Sequence, residues 1–157
     1  MAFGADAGFT AYLVANGLTL PAGAPAPAVL RQRGSAYING LYGPDFSGVP
    51  TDGFAQEDSW PRVGAEAYGQ AIPSDMIPVA VINASYAAGY QEAVSPGSLS
   101  IAASGSKSVK RKKIDVIETE FFEGSGDALK DSTIRLQVVE GLLAPFFAVS
   151  LPAIFVV

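Results

Sequence analysis

The sequence predicts a mainly α fold of about four helices with a small β-hairpin or ribbon, a long irregular loop and an extended C-terminal tail. Three observations carry that expectation. SDMIPVAVINASYAAGYQEAV, residues 74–94, is long and apolar and opens on a serine suited to capping. Leu30, Gly34, Tyr37 and Leu41 recur at spacings of four, three and four, which places them on one helix face. Alternation, the period of a strand, marks the region around 109–121.

The first helix is AGFTAYLVANG, with Asp6 as its cap, Phe9, Tyr12 and Leu13 as apolar contacts and Gly17 as its stop. TLPAGAPAP (19–27) is a connector whose last proline suits the first turn of a second helix, AVLRQRGSAYINGLYG. Gly34 inside that helix costs about 1 kcal/mol against Ala, and close packing on another helix is the reason to expect it there. Gly43 and Pro44 end it, and the next thirty residues to Pro73 follow neither period, a length that points to a binding or mobile loop with the only tryptophan, Trp60, as its anchor.

Ser74 then caps the third helix, with Asp75 complementing the dipole and Pro78 inside the first turn. Ile77, Val81, Ala84 and Ala88 form one face, Tyr86 and Tyr90 a flank, and Asn83, Gln91 and Glu92 a thin polar strip, so this helix should be central and buried. SPGSLSIAASGS (95–106) is loop in composition. In SVKRKKIDVIETEFFEG (108–124) the parity of alternation changes between Val116 and Ile117, which predicts two short strands with a bulge or turn near Asp115 and GSGD as the exit turn. DSTIRLQVVEGLLAPFF reads both ways: IRLQV alternates, but Leu136, Val139 and Leu143 fit a helix capped by Asp131 or Ser132, and helix is the expectation.

Composition bounds function. The 157 residues suit a single domain, 1–157, in which 148–157 form an apolar C-terminal arm. A hydrophobic content of 49% against 16% charged belongs to a folded chain. The absence of Cys excludes disulfides and thiolate chemistry; the absence of His removes the commonest general base, zinc ligand and partner of a nucleophilic serine. No P-loop, dinucleotide fingerprint or nucleophile elbow occurs. We therefore expect no enzyme, no catalytic residues, no cofactor and no metal site. MAFGADAGFT offers no secretory leader, which suggests synthesis in the cytoplasm, and LLAPFFAVSLPAIFVV, broken by Pro145 and Pro152, is too short to span a bilayer, so no membrane partner is expected. That apolar end either packs on the chain's own core or inserts into a neighbouring subunit.

A net charge of −5 repels nucleic acid, so any DNA contact must be local. Five of the ten basic residues, Lys107, Lys110, Arg111, Lys112 and Lys113, lie in KSVKRKK and are the candidates for phosphate contact. The acidic residues that follow, from Asp115 to Asp131, explain the same run without DNA, by pairing across a hairpin or between subunits; an acidic protein partner is the third reading. Glu118 and Glu120 share a strand face, but no other ligand type is near them and solvent is their expected environment.

Taken in order, RQRGSAYINGLYG, FAQEDSWPRVGA, AIPSDMIPVAVINASYAAGY, VKRKKIDVIETEFFEG and EGLLAPFF resemble a family of small tailed-phage proteins, the head-to-tail connector (adaptor) proteins, some of which carry a DnaT-like single-stranded-DNA-binding label. The resemblance covers about residues 6–147, and SWPR, IPSDMIPVAV and the basic-to-acidic ribbon are its most specific parts. It implies a structural protein of the virion, at the head-to-tail junction, forming a homo-oligomeric ring, usually twelvefold, between the portal protein and a head-closure or tail component, with genomic double-stranded DNA in transit through the channel. It carries over no catalytic residue. On that reading Trp60, Arg62, Ile117, Phe121, Leu151, Ile154 and Phe155 are the candidate assembly contacts, and the apolar AVSLPAIFVV extends beyond the family's pattern. The alternative is a single-stranded-DNA-binding accessory protein that uses the 107–113 run with stacking from Phe121 or Phe122.

Overall fold

The computed structural model describes residues 2–99, 112–114, 117–119 and 136–148, the two three-residue segments as backbone only. Within them lie four α-helices: α1 (Asp6–Ala15), α2 (Pro27–Tyr42), α3 (Val79–Val94) and α4 (Gln137–Leu143). Helix α3 is central and touches the other three.

Helix α1 ends as its sequence predicts. The Leu18 amide reaches back to the Leu13 carbonyl at 2.9 Å and the Gly17 amide to that of Val14 at 3.1 Å, a Schellman closure made possible by Gly17 at φ +66°. Its start differs. Ala5 occupies the cap position, and Asp6 spends its carboxylate on Arg31 Nε at 2.6 Å, which ties α1 to α2. Helix α2 opens on Pro27, whose missing N–H has no partner to lose in a first turn.

Helices α2 and α3 pack through glycine. A Cβ on Gly34 would overlap the Ser85 carbonyl oxygen and stand 2.8 Å from the Gly89 nitrogen; one on Gly89 would stand 2.7 Å from the Leu30 oxygen. Two backbones therefore meet where side chains would hold them apart. Leu30, Tyr37, Ile38 and Tyr42 flank the crossing, all buried, so the buried face of α2 is wider than the spacing of Leu30, Gly34, Tyr37 and Leu41 alone suggests.

Helix α3 starts five residues after Ser74. Pro78 is its cap rather than a first-turn residue, because the proline ring disfavours helical geometry at Ile77. Residues 73–76 form a turn instead, closed by Met76 N–H on the Pro73 carbonyl at 3.1 Å. Glu92, expected on a polar strip, is buried at 4% exposure: Oε1 accepts from Arg33 Nη1 and from the Gly97 amide, both at 2.9 Å, and so seals the chain leaving α3.

The segment expected to lack regular structure is organised. Strands β1 (Val49–Pro50) and β2 (Arg62–Val63) pair antiparallel with Val49 opposite Val63, and β3 (Glu66–Ala67) pairs with β4 (Gln70–Ala71). The predicted hairpin is present as β5 (Lys112–Ile114) against β6 (Ile117–Thr119), with Lys113 opposite Glu118 and Ile114 opposite Ile117 around the expected turn. Helix α4 begins at Gln137 after an extended Leu136, with Val139 and Leu143 buried as predicted; the proposed caps Asp131 and Ser132 lie outside the described residues. After it a 3-10 turn brings Phe147 into a bridge with Phe46, flanked by Ser47 N–H on the Phe146 carbonyl (2.9 Å) and Ala148 N–H on that of Asp45 (2.8 Å).

Candidate functional site

The SWPR tetrapeptide is the organising point of the loop. Trp60 is 1% exposed and stands edge-on to Phe46 (centroids 5.5 Å apart) and to Phe146 (5.9 Å). Arg62, 5% exposed, lies 5.9 Å over the Phe46 ring. Its Nε donates to the Ser47 carbonyl at 2.8 Å, Nη1 to that of Ser59 at 3.0 Å, and Nη2 to those of Gly48 at 2.7 Å and Phe46 at 3.2 Å. A planar guanidinium has donors enough for such a set of carbonyls, which the turn-rich backbone leaves without ladder partners. Burial lowers its pKa. Asn39 of α2 holds the same loop: its Oδ1 accepts from the Ser59 amide (2.9 Å) and hydroxyl (2.7 Å), and its Nδ2 donates to Asp58 at 2.7 Å.

Trp60, expected to anchor the loop by burial, is buried; both it and Arg62, also expected among contacts between subunits, lie instead in the chain's own interior. A surface position would leave the four carbonyls around Arg62 unpaired, which is the physical reason for the difference. Of the other candidates, Lys112, Lys113 and Ile117 lie on the β5–β6 hairpin; Lys107, Lys110, Arg111, Phe121, Leu151, Ile154 and Phe155 lie outside the described residues.

Residues 2–99 contain eight acidic and three basic side chains. Each of the three arginines is engaged by the chain's own oxygens: Arg62 as above, Arg31 by Asp6 and the Gly4 carbonyl (2.9 Å), Arg33 by Glu92. Helices α1–α3 and the loop thus form an acidic body whose cations are already spent. Five of the remaining seven cations fall in 107–113, which runs into β5.

The loop also displays apolar side chains. Phe54 is fully exposed on a 3-10 turn, Tyr68 is 86% exposed, and Val49 and Val63 face each other across β1–β2 with about half their surface open. Tyr68 and Gly69 connect β3 to β4 with φ of 54° and 73°, a turn that favours Asn-Gly and strains a bulky aromatic at its first position. Tyr68→Gly is expected to raise stability by up to about 1 kcal/mol in thermal unfolding, since relief of that strain outweighs the added freedom of the unfolded chain. Beside this turn is a groove of about 440 Å³ whose walls include Glu66, Tyr68, Pro145 and Phe147. Another, of about 510 Å³, lies between α1, α3 and α4.

Among the described residues no cluster of acidic side chains is placed to hold a metal, and no helix is long and apolar enough to cross a membrane. Residues 3–156 match the family described as "Putative DnaT-like ssDNA binding protein". The chain belongs to that family. The match spans the helices, the SWPR loop and the basic hairpin together, so the DnaT-like family relationship covers every motif singled out in the sequence. No curated protein and no solved structure matches the chain.

Proposed function

We propose that this member of the DnaT-like family is a non-enzymatic structural subunit: a head-to-tail connector of a tailed-phage neck that assembles into a ring on the portal protein, meets a head-closure or tail component on its other side, and surrounds double-stranded DNA in transit. The observation that carries the reading is the separation of charge. The acidic body has its arginines consumed internally, and five of the remaining seven cations are gathered in residues 107–113 of the sequence. A conduit needs that balance, because each phosphate neutralised by a wall strengthens binding and slows passage. The order of motifs that resembles connector proteins supports the finer part of the proposal.

The family description favours a second reading, binding of single-stranded DNA. It requires cations and stacking aromatics in one groove. Among the described residues the exposed aromatics Phe54 and Tyr68 sit instead near Asp52 and Glu66, so the binding would rest on the 107–113 run.

One experiment separates the two: the chain is mixed with the portal encoded in the same genome and imaged by negative stain, and in parallel titrated with labelled single-stranded DNA at several salt concentrations. The connector reading expects rings capping the portal. The single-strand reading expects a salt-dependent shift that loses about three units of its log–log salt slope when Lys110, Arg111, Lys112 and Lys113 become Ala. Absence of capping together with such a shift overturns the connector.

A further inference from the structure

We infer that the surface built on β1–β4 is a docking site for the basic segment 107–113 of a second copy of this chain. The inference deepens the head-to-tail assembly reading and rests on it.

The ribbon made by residues 47–52 and 61–66 is held by Arg62, with Asn39 fixing the adjoining Asp58 and Ser59, yet its outer residues are apolar and unpartnered among the described residues: Val49 and Val63 at the centre, Phe54 beyond one end, Tyr68 beyond the other. Exposed carboxylates accompany both ends. Thr51 Oγ1 donates to the Ser74 carbonyl at 2.7 Å, which brings Asp52 and Asp75 to the Phe54 end; Ser47 Oγ bonds the Glu66 backbone, which sets Glu66 at the Tyr68 end beside the 440 Å³ groove. Tyr68 thus holds a strained backbone and an exposed ring that adds nothing to the core. Apolar centre with charged margins is the anatomy of a protein contact.

Charge complementarity selects the occupant. An acidic-rimmed surface takes a basic segment, and this chain carries one, SVKRKKI, in which Val109 and Ile114 supply apolar side chains beside four consecutive cations. Docking of that segment on a different face of the next copy is heterologous, the geometry from which rings close.

The chain has no cysteine, so single thiols can report the contact. One copy carries Gln70→Cys, a second, tagged copy Ser108→Cys, and the two are mixed with a bismaleimide, with and without the portal; the mixed cross-linked product is identified by mass. The contact predicts that product, and predicts a loss of at least about tenfold on D52K/E66K/D75K in the Gln70→Cys copy. The product should return when the Ser108→Cys copy carries K110E/R111E/K112E/K113E. These positions are exposed or lie on the basic run, and thermal unfolding checks that each copy stays folded. A yield indifferent to both reversals overturns the inference. Capping of the portal by the wild type without any mixed product also overturns it while leaving the connector standing; neither capping nor product removes both.

Discussion

Gly34→Ala is expected to destabilise the fold by about 3 kcal/mol or more, seen as a lower urea midpoint with helical signal lost in the same transition. One methyl group does this because its neighbours are backbone: the Ser85 carbonyl and the Gly89 nitrogen belong to the central helix and cannot swing away as a side chain would. Relief requires α2 and α3 to separate, and separation opens the contacts of Leu30, Ile38, Val81 and Ala88 along their length. Gly40, on the exposed side of the same helix with nothing near its missing Cβ, is the control. There Ala is expected to stabilise by up to about 1 kcal/mol, the ordinary helix preference. Equal effects at the two positions would remove the close-packing account.

Arg62→Met is expected to cost about 3 kcal/mol, with a different signature. The substitution keeps the apolar stem and deletes the donors, leaving the carbonyls of Phe46, Ser47, Gly48 and Ser59 without their partner in a largely dry setting. The damage should be confined to the loop: helical circular dichroism holds, fluorescence of the only tryptophan shifts to the red, and protease cuts between residues 47 and 63. Arg62→Lys should recover little, because a single ammonium cannot span four carbonyls. An unchanged tryptophan spectrum and cutting rate in Arg62→Met would show the loop to be held by something else.

The helices were legible because their cause is periodic. Leu30, Gly34 and Tyr37 repeat at the helix period and pack on one partner, and Gly34 stood out as a local cost that only a close neighbour explains. The start of α3 was misread because Ser74 and Asp75 have the chemistry of a cap while Pro78 acts through geometry, on the residue before it. The loop was opaque for another reason. Its order comes from Arg62 donating to backbone carbonyls, and a carbonyl has no letter in a sequence. Trp60 could be read as the loop's buried anchor, but nothing in the sequence marks Arg62 as the residue that holds the loop from inside. The acidic surface was visible only as a net charge until the partners of Arg31, Arg33 and Arg62 were known.

The bridge between Phe46 and Phe147 has a consequence for the order of synthesis. The two residues lie about a hundred positions apart, and Phe146, next to the bridge, supplies one wall around Trp60. While the ribosome is still making the intervening chain, α1, α2 and α3 can associate, but the tryptophan pocket stays open on the side that α4 and its 3-10 turn will close. Completion of the pocket thus waits for translation of Phe146 and Phe147, about a hundred residues after Phe46. A nascent chain stalled before Phe146 leaves Phe46 and Trp60 without that wall.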